Sequence, residues 1–547
     1  MEYLVTAAEM KQYDGNTINN IGIPGMVLME RAALETFRVI EARFGELTTA
    51  RKRVFILAGT GNNGGDGLAL ARLLCEAGYD VTVHCVGNVM KASEQWKQQR
   101  RILESFPVAF QVGGCPDDVG NVVGFNVKKN ANCLSYDILI DALFGVGLSR
   151  DIEGEYARAT ECFNQATGFK ISLDIPSGIH SDTGNVLGCA IRADMTVTFG
   201  FLKRGLVLAP GKAYAGEIIK ASIGISEKSF LGQEPSLFCY DEEPKALLPI
   251  RPKDGNKGTF GKVLLVAGSS KMAGAAVLAA RAAYRAGAGM VKVITAPDNR
   301  IVIHESVPEA LYGTYEDLEE SLKWADVIVA GPGLGMQPQS RECLKKILSL
   351  SNLPLVLDAD ALNMLAQDKE LGDILTKQTA PIILSSEKES VQYIESSELY
   401  EKRCEKCIEK YFAKQESGGR KVILTPHVGE LSRLMNMPIA TLKQDLPSYG
   451  KQLAQELHAV VAAKDAQTYI CRETGSDCIN LCGNSGMATA GSGDVLAGII
   501  GGLLAQGMSP FDAASVGVYL HAKAGDNVSA QIGEHACMAG DIFKIWI

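Results

Sequence analysis

The feature that most narrows the fold is a rhythm. Apolar runs of strand length alternate with longer helical patterns along most of the chain. In the first half the strand candidates are Arg53–Ala58, Val81–Val86, Tyr136–Ile140, Phe169–Leu173 and Met195–Phe199, with helix candidates at Leu68–Ala77 and Ala92–Leu103. Continuous strands rich in β-branched residues, separated by helices, predict a parallel sheet covered on both faces. The stretch Gly224–Gly261 breaks the rhythm with Pro235, Pro244, Pro249, Pro252 and the polar run KDGNKGTFG, and reads as an interdomain connection. The rhythm then restarts, with strand candidates Lys262–Ala267, Val291–Thr295, Val327–Ala330, Leu355–Leu357, Ile382–Leu384, Val422–Leu424 and Ala459–Ala463 and a helix at Gly274–Ala286. The halves do not repeat one another. Two different α/β domains in tandem, 1–228 and 229–547, are expected, which suits 547 residues. One charged stretch, 385–419, with a helix expected near 398–414, is either a crossover or an added surface element.

Composition removes several function classes. A net charge of −9 argues against a general polyanion binder, so no nucleic-acid partner is expected, while a nucleotide needs only a local site. Fourteen scattered cysteines in a chain of this length read as reduced and intracellular. Cys404 and Cys407 form a CxxC in a charged run, without a second pair or a nearby histidine to complete a zinc site. The opening MEYLVTAAEM lacks the basic and apolar regions of a secretory signal. The most apolar stretch, Val495–Met508, is glycine-rich and shorter than the roughly 20 residues of a membrane helix, so it reads as a buried core helix. A cytoplasmic protein without a membrane partner is expected.

The first chemical cluster follows a strand and precedes a helix: Gly59-Thr60-Gly61-Asn62-Asn63-Gly64-Gly65-Asp66. Gly59, Gly61 and Gly64 satisfy GxGxxG, which lets backbone amides approach a pyrophosphate at a helix N-terminus. No Lys-Ser/Thr follows, so it is not a P-loop. Two further strand candidates run into Asp141-Ala142-Leu143-Phe144-Gly145-Val146-Gly147 and Asp174-Ile175-Pro176-Ser177-Gly178. An Asx-turn or helix cap explains any one of these aspartates alone. Three together would converge where open parallel sheets bind ligands, outside the carboxyl ends of the strands.

GNNGGDG, DALFGVG and DIPSG, with the opening GIPGMVLMERAA, resemble the NAD(P)H-hydrate epimerase domain over roughly residues 1–225. The resemblance implies a Rossmann-like, doubly wound parallel sheet. It implies that Asn62, Asn63, Gly64, Gly65 and Asp66, with Gly145, Val146, Gly147, Leu148, Ser149, Arg150 and Asp151, bind the substrate. Asp174 would contact its nicotinamide end and handle a proton, with Lys203 as a lesser candidate for electrostatic help. Asn63, Asp141 and Ser177 would ligate a potassium ion, an oxygen set that suits a hard cation.

In the second half the strongest signal is Gly483-Asn484-Ser485-Gly486-Met487-Ala488-Thr489-Ala490-Gly491-Ser492-Gly493-Asp494, followed by an apolar helical run. A GSGD helix start offers backbone N–H groups and the positive end of the helix dipole to a phosphate, and Asp494 beside it is placed to take a proton from an attacking hydroxyl. A glycine-rich helix cap is the plainer alternative. With GSSKMAGAAVLAARAAYRAGAG from Gly268, AGPGLG from Ala330, VLDADALN from Val356 and LTPHVGEL from Leu424, the half resembles the ribokinase-like fold, and within it the ADP/ATP-dependent NAD(P)H-hydrate dehydratases. The resemblance implies that Ala275, Gly335, His427 and Asp494 contact the hydrated cofactor. Lys464, Asp465, Ala466, Gln467, Thr468 and Gly493 would contact the adenine nucleotide, ADP with magnesium. This chain reads Lys-Asp-Ala-Gln-Thr where the family usually has Lys-Gly-x-x-Thr, which adds a negative charge near phosphates.

Together the halves imply a repair enzyme for hydrated NADH and NADPH, one domain interconverting the epimers and the other consuming one of them, in a chain that assembles as a homo-oligomer. The alternative is a ribokinase-like small-molecule kinase fused to a dinucleotide-binding regulatory or scaffolding module.

Overall fold

A computed structural model describes residues 1–45, 52–113, 136–380 and 419–544. The chain divides into two compact units, Glu2–Leu237 and Phe238–Ile547.

In the first unit the strands are β1 (Glu2–Val5), β2 (Arg53–Ala58), β3 (Asp80–Cys85), β4 (Ala109–Val112), β5 (Ile138–Ala142), β6 (Phe169–Leu173), β7 (Met195–Phe199), β8 (Leu202–Lys203) and β9 (Glu217–Ala221). Seven of them form one sheet in the order β4-β3-β2-β5-β6-β7-β9, and every adjacent pair is parallel. β1 and β8 form a separate parallel pairing. Alternate residues of β2 feed two cores. Val54, Ile56 and Ala58 pack with Leu68, Ala71 and Leu74 of the helix Asn62–Glu76, whereas Phe55 and Leu57 pack with Leu139 and Phe163 on the other face. That two-sided burial is why the strands read as unbroken apolar runs. The strand order reverses between β2 and β5, so the connections leaving their carboxyl ends diverge and open a crevice.

Two local expectations shift. β5 runs two residues further than Tyr136–Ile140, because Asp141 and Ala142 still pair in register with Leu57 and Ala58. Asp141 is therefore part of the sheet. The helix after β2 begins at Asn62 and not near Leu68, so the asparagines and Asp66 lie on its first two turns. Glycine is a poor helix former, but here it permits contact. A Cβ on Gly64 would fall 1.9 Å from the Gly59 carbonyl oxygen, and one on Gly67 would fall 2.6 Å from Cβ of Ala142.

A short strand, β10 (Leu237–Cys239), marks the passage to the second unit in sequence. There the strands are β11 (Lys262–Val266), β12 (Met290–Ile294), β13 (Leu311–Gly313), β14 (Val327–Ala330), β15 (Leu355–Leu357), β16 (Val422–Leu424), β17 (Val460–Lys464), β18 (Thr468–Cys471) and β19 (Asp477–Asn480). They run β13-β12-β11-β14-β15-β16-β17-β18-β19, parallel from β13 to β17 and then antiparallel. The order reverses between β11 and β14. The strand candidate 382–384, the helix expected near 398–414, and Cys404 and Cys407 lie outside the described residues.

The apolar stretch after Asp494 forms the helix Ser492–Ala505, buried at every position from Val495 to Leu504. Among the described residues no helix is long and apolar enough to cross a membrane. Its glycines set how it docks. A Cβ on Gly498 would lie 2.2 Å from the carbonyl oxygen of Ala279, and one on Gly502 would lie 2.6 Å from that of Ala283, both in the helix Ala273–Arg285. Gly498→Ala gains about 1 kcal/mol of helix propensity. The new methyl meets backbone that cannot rotate away, a clash costing about 1–3 kcal/mol or more. A lower thermal unfolding midpoint is expected, and an unchanged or raised midpoint would disprove the tight docking.

Candidate functional site

In the first unit the β2/β5 crevice is a cavity of about 870 Å³, within the range of small-molecule sites. Asn62, Asn63, Asp66, Gly145, Val146, Gly147, Leu148, Ser149, Arg150 and Asp174 lie on its wall, as does Lys203. Gly64, Gly65 and Asp151 lie off it. Gly64 and Gly65 are buried, a Cβ on the latter falling 2.6 Å from the Met29 methyl.

Asp174 follows β6 in the left-handed region, φ 68°, a conformation Asp tolerates better than most residues. Its Oδ1 accepts from Lys203 Nζ at 2.5 Å and from the Phe199 amide at 3.3 Å. Lys203 is fully buried and also donates to Thr198 Oγ1 at 3.1 Å and to the Phe199 carbonyl at 2.7 Å. All three of its donors are engaged, so its influence runs through Asp174. Asp174 Oδ2 lies 3.6 Å from where a Cβ on Gly145 would stand, and Asn63 Cβ lies 3.4 Å from the same point. Glycine at 145 therefore leaves room between them. Two more carboxyls face this cavity. Burial, with the Asp174 and Asp14 charges, holds Asp66 well above the usual carboxylate range. Burial and Asp174 also raise Asp14, from the helix Ala7–Asn16, which sequence reasoning did not select.

Beneath the cavity lies a fully buried polar cluster. Asp141 accepts from Ser172 Oγ at 2.8 Å, the Ser177 amide at 2.9 Å, Ser177 Oγ at 2.6 Å and the Leu143 amide at 3.2 Å. Ser177 Oγ accepts from the Phe144 amide at 2.8 Å, and Asn63 Nδ2 donates to the Phe144 carbonyl at 3.0 Å. Asn63, Asp141 and Ser177, which come from three separate segments, thus meet around Phe144. Asn63 Oδ1 is buried without a hydrogen-bond partner, and Asp141 has no basic partner among the described residues. An unsatisfied buried oxygen beside a buried carboxyl is the setting an alkali cation suits.

In the second unit the polar groups gather at the carboxyl ends of β14 to β17. Asp358, after β15, accepts from Thr425 Oγ1 at 2.7 Å and Lys464 Nζ at 2.9 Å. Asp360 Oδ2 accepts from the Gly335 amide at 2.7 Å. Between the two, Ala359 is held at φ 48°, a costly conformation for alanine of the sort found at functional sites. A Cβ on Gly493 would stand 3.4 Å from Lys464 Nζ and 3.7 Å from Asp358 Oδ2, and a Cβ on Gly333 would meet Cβ of Ala275 at 2.7 Å. The helix start at Gly493 thus faces the Lys464–Asp358 pair. Burial pulls Lys464 down, but Asp358, Glu430 and Asp494 outweigh it and hold the ammonium above its ordinary value. Burial and the neighbouring Asp358 push the Asp494 carboxyl up to about 7, against the opposing pull of Lys464.

His427 caps the helix Val428–Met435. Its Nδ1 accepts from the Gly429 amide at 2.9 Å and the Glu430 amide at 3.3 Å, and Glu430 answers the His427 amide at 2.9 Å. Burial, Lys464 and Arg433 lower its basicity, so the ring is neutral with its proton on Nε2. Lys464 and Thr468 pair across the β17–β18 turn, and Asp465 in that turn lies 3.0 Å from Lys443. The extra negative charge is thus countered within the chain. His521 was also missed by sequence reasoning. It is buried with its Nε2 3.3 Å from Ser492 Oγ, and burial takes it down to about 4.

The Asp494 carboxyl is expected to titrate near 7 when followed by carbon-13 NMR. Asp358→Asn should move the midpoint to lower pH, because it removes a like charge and frees Lys464 to act on Asp494. A midpoint at the ordinary value near 4 would contradict this account of the site.

Comparison with known proteins finds two matching families along the chain. A family described as YjeF-related protein N-terminus matches residues 25–205, and one described as NAD(P)H-hydrate dehydratase matches 263–411 and 408–547. The chain is 36% identical to the bifunctional NAD(P)H-hydrate repair enzyme Nnr of Moorella thermoacetica, an alignment covering 99% of this chain and 95% of that one. It is 34% identical to that of Coxiella burnetii, over 95% and 94%. Among solved structures, the ADP/ATP-dependent NAD(P)H-hydrate dehydratase of Bacillus subtilis, co-crystallised with ATP and Mg2+, is 27% identical over 56% of this chain and 95% of that one, with a TM-score of 0.44. The relatives align along nearly the whole chain, and the protein is therefore a member of the bifunctional NAD(P)H-hydrate repair enzyme family.

Proposed function

We propose that the first unit inverts the hydroxyl-bearing carbon of hydrated NADH and NADPH and that the second returns the S epimer to the reduced cofactor, converting ADP to AMP and phosphate. The observation that carries this reading is a complete proton-handling group in each unit. Asp174 is held by Lys203 on the cavity wall, and the Asp494 carboxyl, pushed up to about 7, stands in the first turn of the helix Ser492–Ala505.

In the first unit the hydroxyl to be inverted sits on the carbon next to the ring nitrogen, whose lone pair assists its loss and return. Asp174 Oδ1 is occupied by Lys203, which leaves Oδ2 to exchange a proton. The wall residues Asn62, Asn63, Asp66, Gly145–Arg150 and Asp174 are the proposed substrate contacts. Asn63, Asp141 and Ser177 are the proposed holders of potassium, supported by the unpaired Asn63 Oδ1. The ion would supply a fixed positive charge beside the buried Asp141.

In the second unit Asp494 takes the proton of the substrate hydroxyl as that oxygen attacks the terminal phosphoryl of ADP. The phosphate ester then departs, driven by the ring nitrogen, and the dihydropyridine is restored. Gly493 presents its amide at the helix start, where charge develops during transfer. Lys464 supplies a positive charge, and its turn through Thr468 with Gly493 is the proposed nucleotide contact. Ala275, Gly335 and His427 are the proposed contacts to the hydrated cofactor. Magnesium would arrive with the nucleotide, held by its phosphates and water. We place the activity in the cytoplasm of a homo-oligomeric protein.

The test is absorbance at 340 nm when the protein meets mixed-epimer NADH hydrate with ADP, magnesium and potassium. Full recovery of NADH is expected. Recovery that stops at the fraction of one epimer would remove the first activity, and a stable phosphorylated product would indicate the kinase reading. Asp494→Asn should abolish dehydration, a loss of about 100-fold or more, and leave epimerisation intact. Since Asp494 must be ionised to act, the dehydration rate should climb as pH rises through about 7. Replacing potassium with choline should slow epimerisation alone.

A further inference from the structure

Inversion through loss of a hydroxyl requires two proton carriers, one to give a proton to the departing oxygen and one to take a proton from the water that returns on the other face. Asp174 answers the second need. Its Oδ1 accepts from Lys203 and the Phe199 amide, which leaves Oδ2 without a hydrogen bond among the described residues. One carboxyl oxygen cannot serve both faces of the ring in the same turnover, so a second carrier is required.

The first need points to a second carboxyl on the cavity wall. Asp66 lies on the helix Asn62–Glu76 one turn beyond Asn63, on the same helix face. Asn63 and Asp174 both approach Gly145, and Asp66 and Asp174 both line the one cavity. We propose that Asp66 is the proton donor of the epimerisation, acting on the departing hydroxyl while Asp174 Oδ2 receives the proton of the incoming water. This rests on the epimerase reading above.

Asp66 has neither a hydrogen-bond partner nor an ion pair among the described residues, unlike Asp141, Asp174 and Asp358. It lines the cavity that would hold the substrate. The charged groups around it are Asp174 at the end of β6, Asp14 on the helix Ala7–Asn16 and Lys203 in β8. Burial and the two carboxylates favour the neutral acid, and Lys203 opposes them without reversing the balance. The neighbouring glycines fix its place, since Gly65 and Gly67 are both buried and a Cβ on either would collide within 2.6 Å.

The step balances. The carbon–oxygen bond breaks as Asp66 transfers its proton to the hydroxyl, and water leaves. The nitrogen lone pair forms the carbon–nitrogen double bond of a cationic ring. Water then adds to the opposite face, its oxygen forming the new bond and its proton passing to Asp174 Oδ2, while the ring electrons return to nitrogen. Water in the cavity carries the proton from Asp174 back to Asp66. The reverse direction exchanges the two roles.

The experiment uses the full chain without nucleotide, one purified epimer of NADH hydrate, potassium and oxygen-18 water. Approach to the epimer equilibrium and labelling of the hydroxyl are followed by chromatography and mass spectrometry. The unaltered protein should equilibrate the epimers and incorporate one labelled oxygen per inversion. Asp66→Asn keeps the size and polarity of the side chain but cannot give up a proton. It should lower the turnover number by about 100-fold or more, with the half-saturating substrate concentration and potassium requirement little changed. Asp66→Glu should recover part of the rate. With ADP added, Asp66→Asn should still dehydrate the S epimer at the normal rate, which shows the chain is folded. Undiminished inversion by Asp66→Asn, or inversion without label, would overturn the proposal. Failure of the unaltered protein to equilibrate the epimers would instead overturn the epimerase reading.

Discussion

A carboxylate taken out of water must be compensated by hydrogen bonds, by a cation or by a proton, because an unpaired buried charge costs more than a fold can absorb. Both units are organised around this constraint. Asp141 is compensated by four donors, Asp174 by Lys203, and Asp358 by Lys464 and Thr425. Asp494 and Asp66 have no comparable partner among the described residues, and burial raises both, as it raises Asp141 against the pull of its donors. The carboxyls therefore fall into two kinds, those held by hydrogen bonds or an ion pair and those left without either among the described residues.

The topology decides where these groups can meet. Each unit reverses its strand order once, between β2 and β5 in the first and between β11 and β14 in the second. At such a reversal the backbone leaves the sheet in two directions and a crevice follows without any loop having to be carved out. The GNNGGDG and DALFGVG segments leave β2 and β5 at the first reversal. GSSK and AGPGLG leave β11 and β14 at the second.

The rhythm of apolar runs made the two parallel sheets readable, since a strand buried on both faces has no choice but continuous hydrophobicity. Motif positions were readable too, since a glycine beside an aspartate at a strand end marks a tight polar turn. Charge states were not. Lys203 neutralises a residue 29 positions away, and Lys464 one 106 positions away. Nothing in either local sequence names the partner. The VLDADALN run was visible as a motif, but the different roles of Asp358 and Asp360 depend on Thr425, Lys464 and Gly335, which arrive from other strands. The helical start of GNNGGDG was hidden because its glycines disfavour a helix locally, and a helix forms there only because the sheet beneath holds them in close contact.

The glycine ridge of the helix Ser492–Ala505 bears on how the second unit could respond to a ligand. Gly498 and Gly502 each touch the backbone of the helix Ala273–Arg285, and Gly501 faces Val329 of β14. Screwing the helix forward by one residue, a rotation of about 100° with the axial rise, would bring Ile499 and Leu503 to positions where a single methyl does not fit. Such one-residue shifts of register are therefore closed to it, as they are to a toothed bar seated in its rack. Its N-terminal amides are a fixed reference point, and any adjustment to the arriving nucleotide has to come from the surrounding loops, such as the turn that carries Lys464.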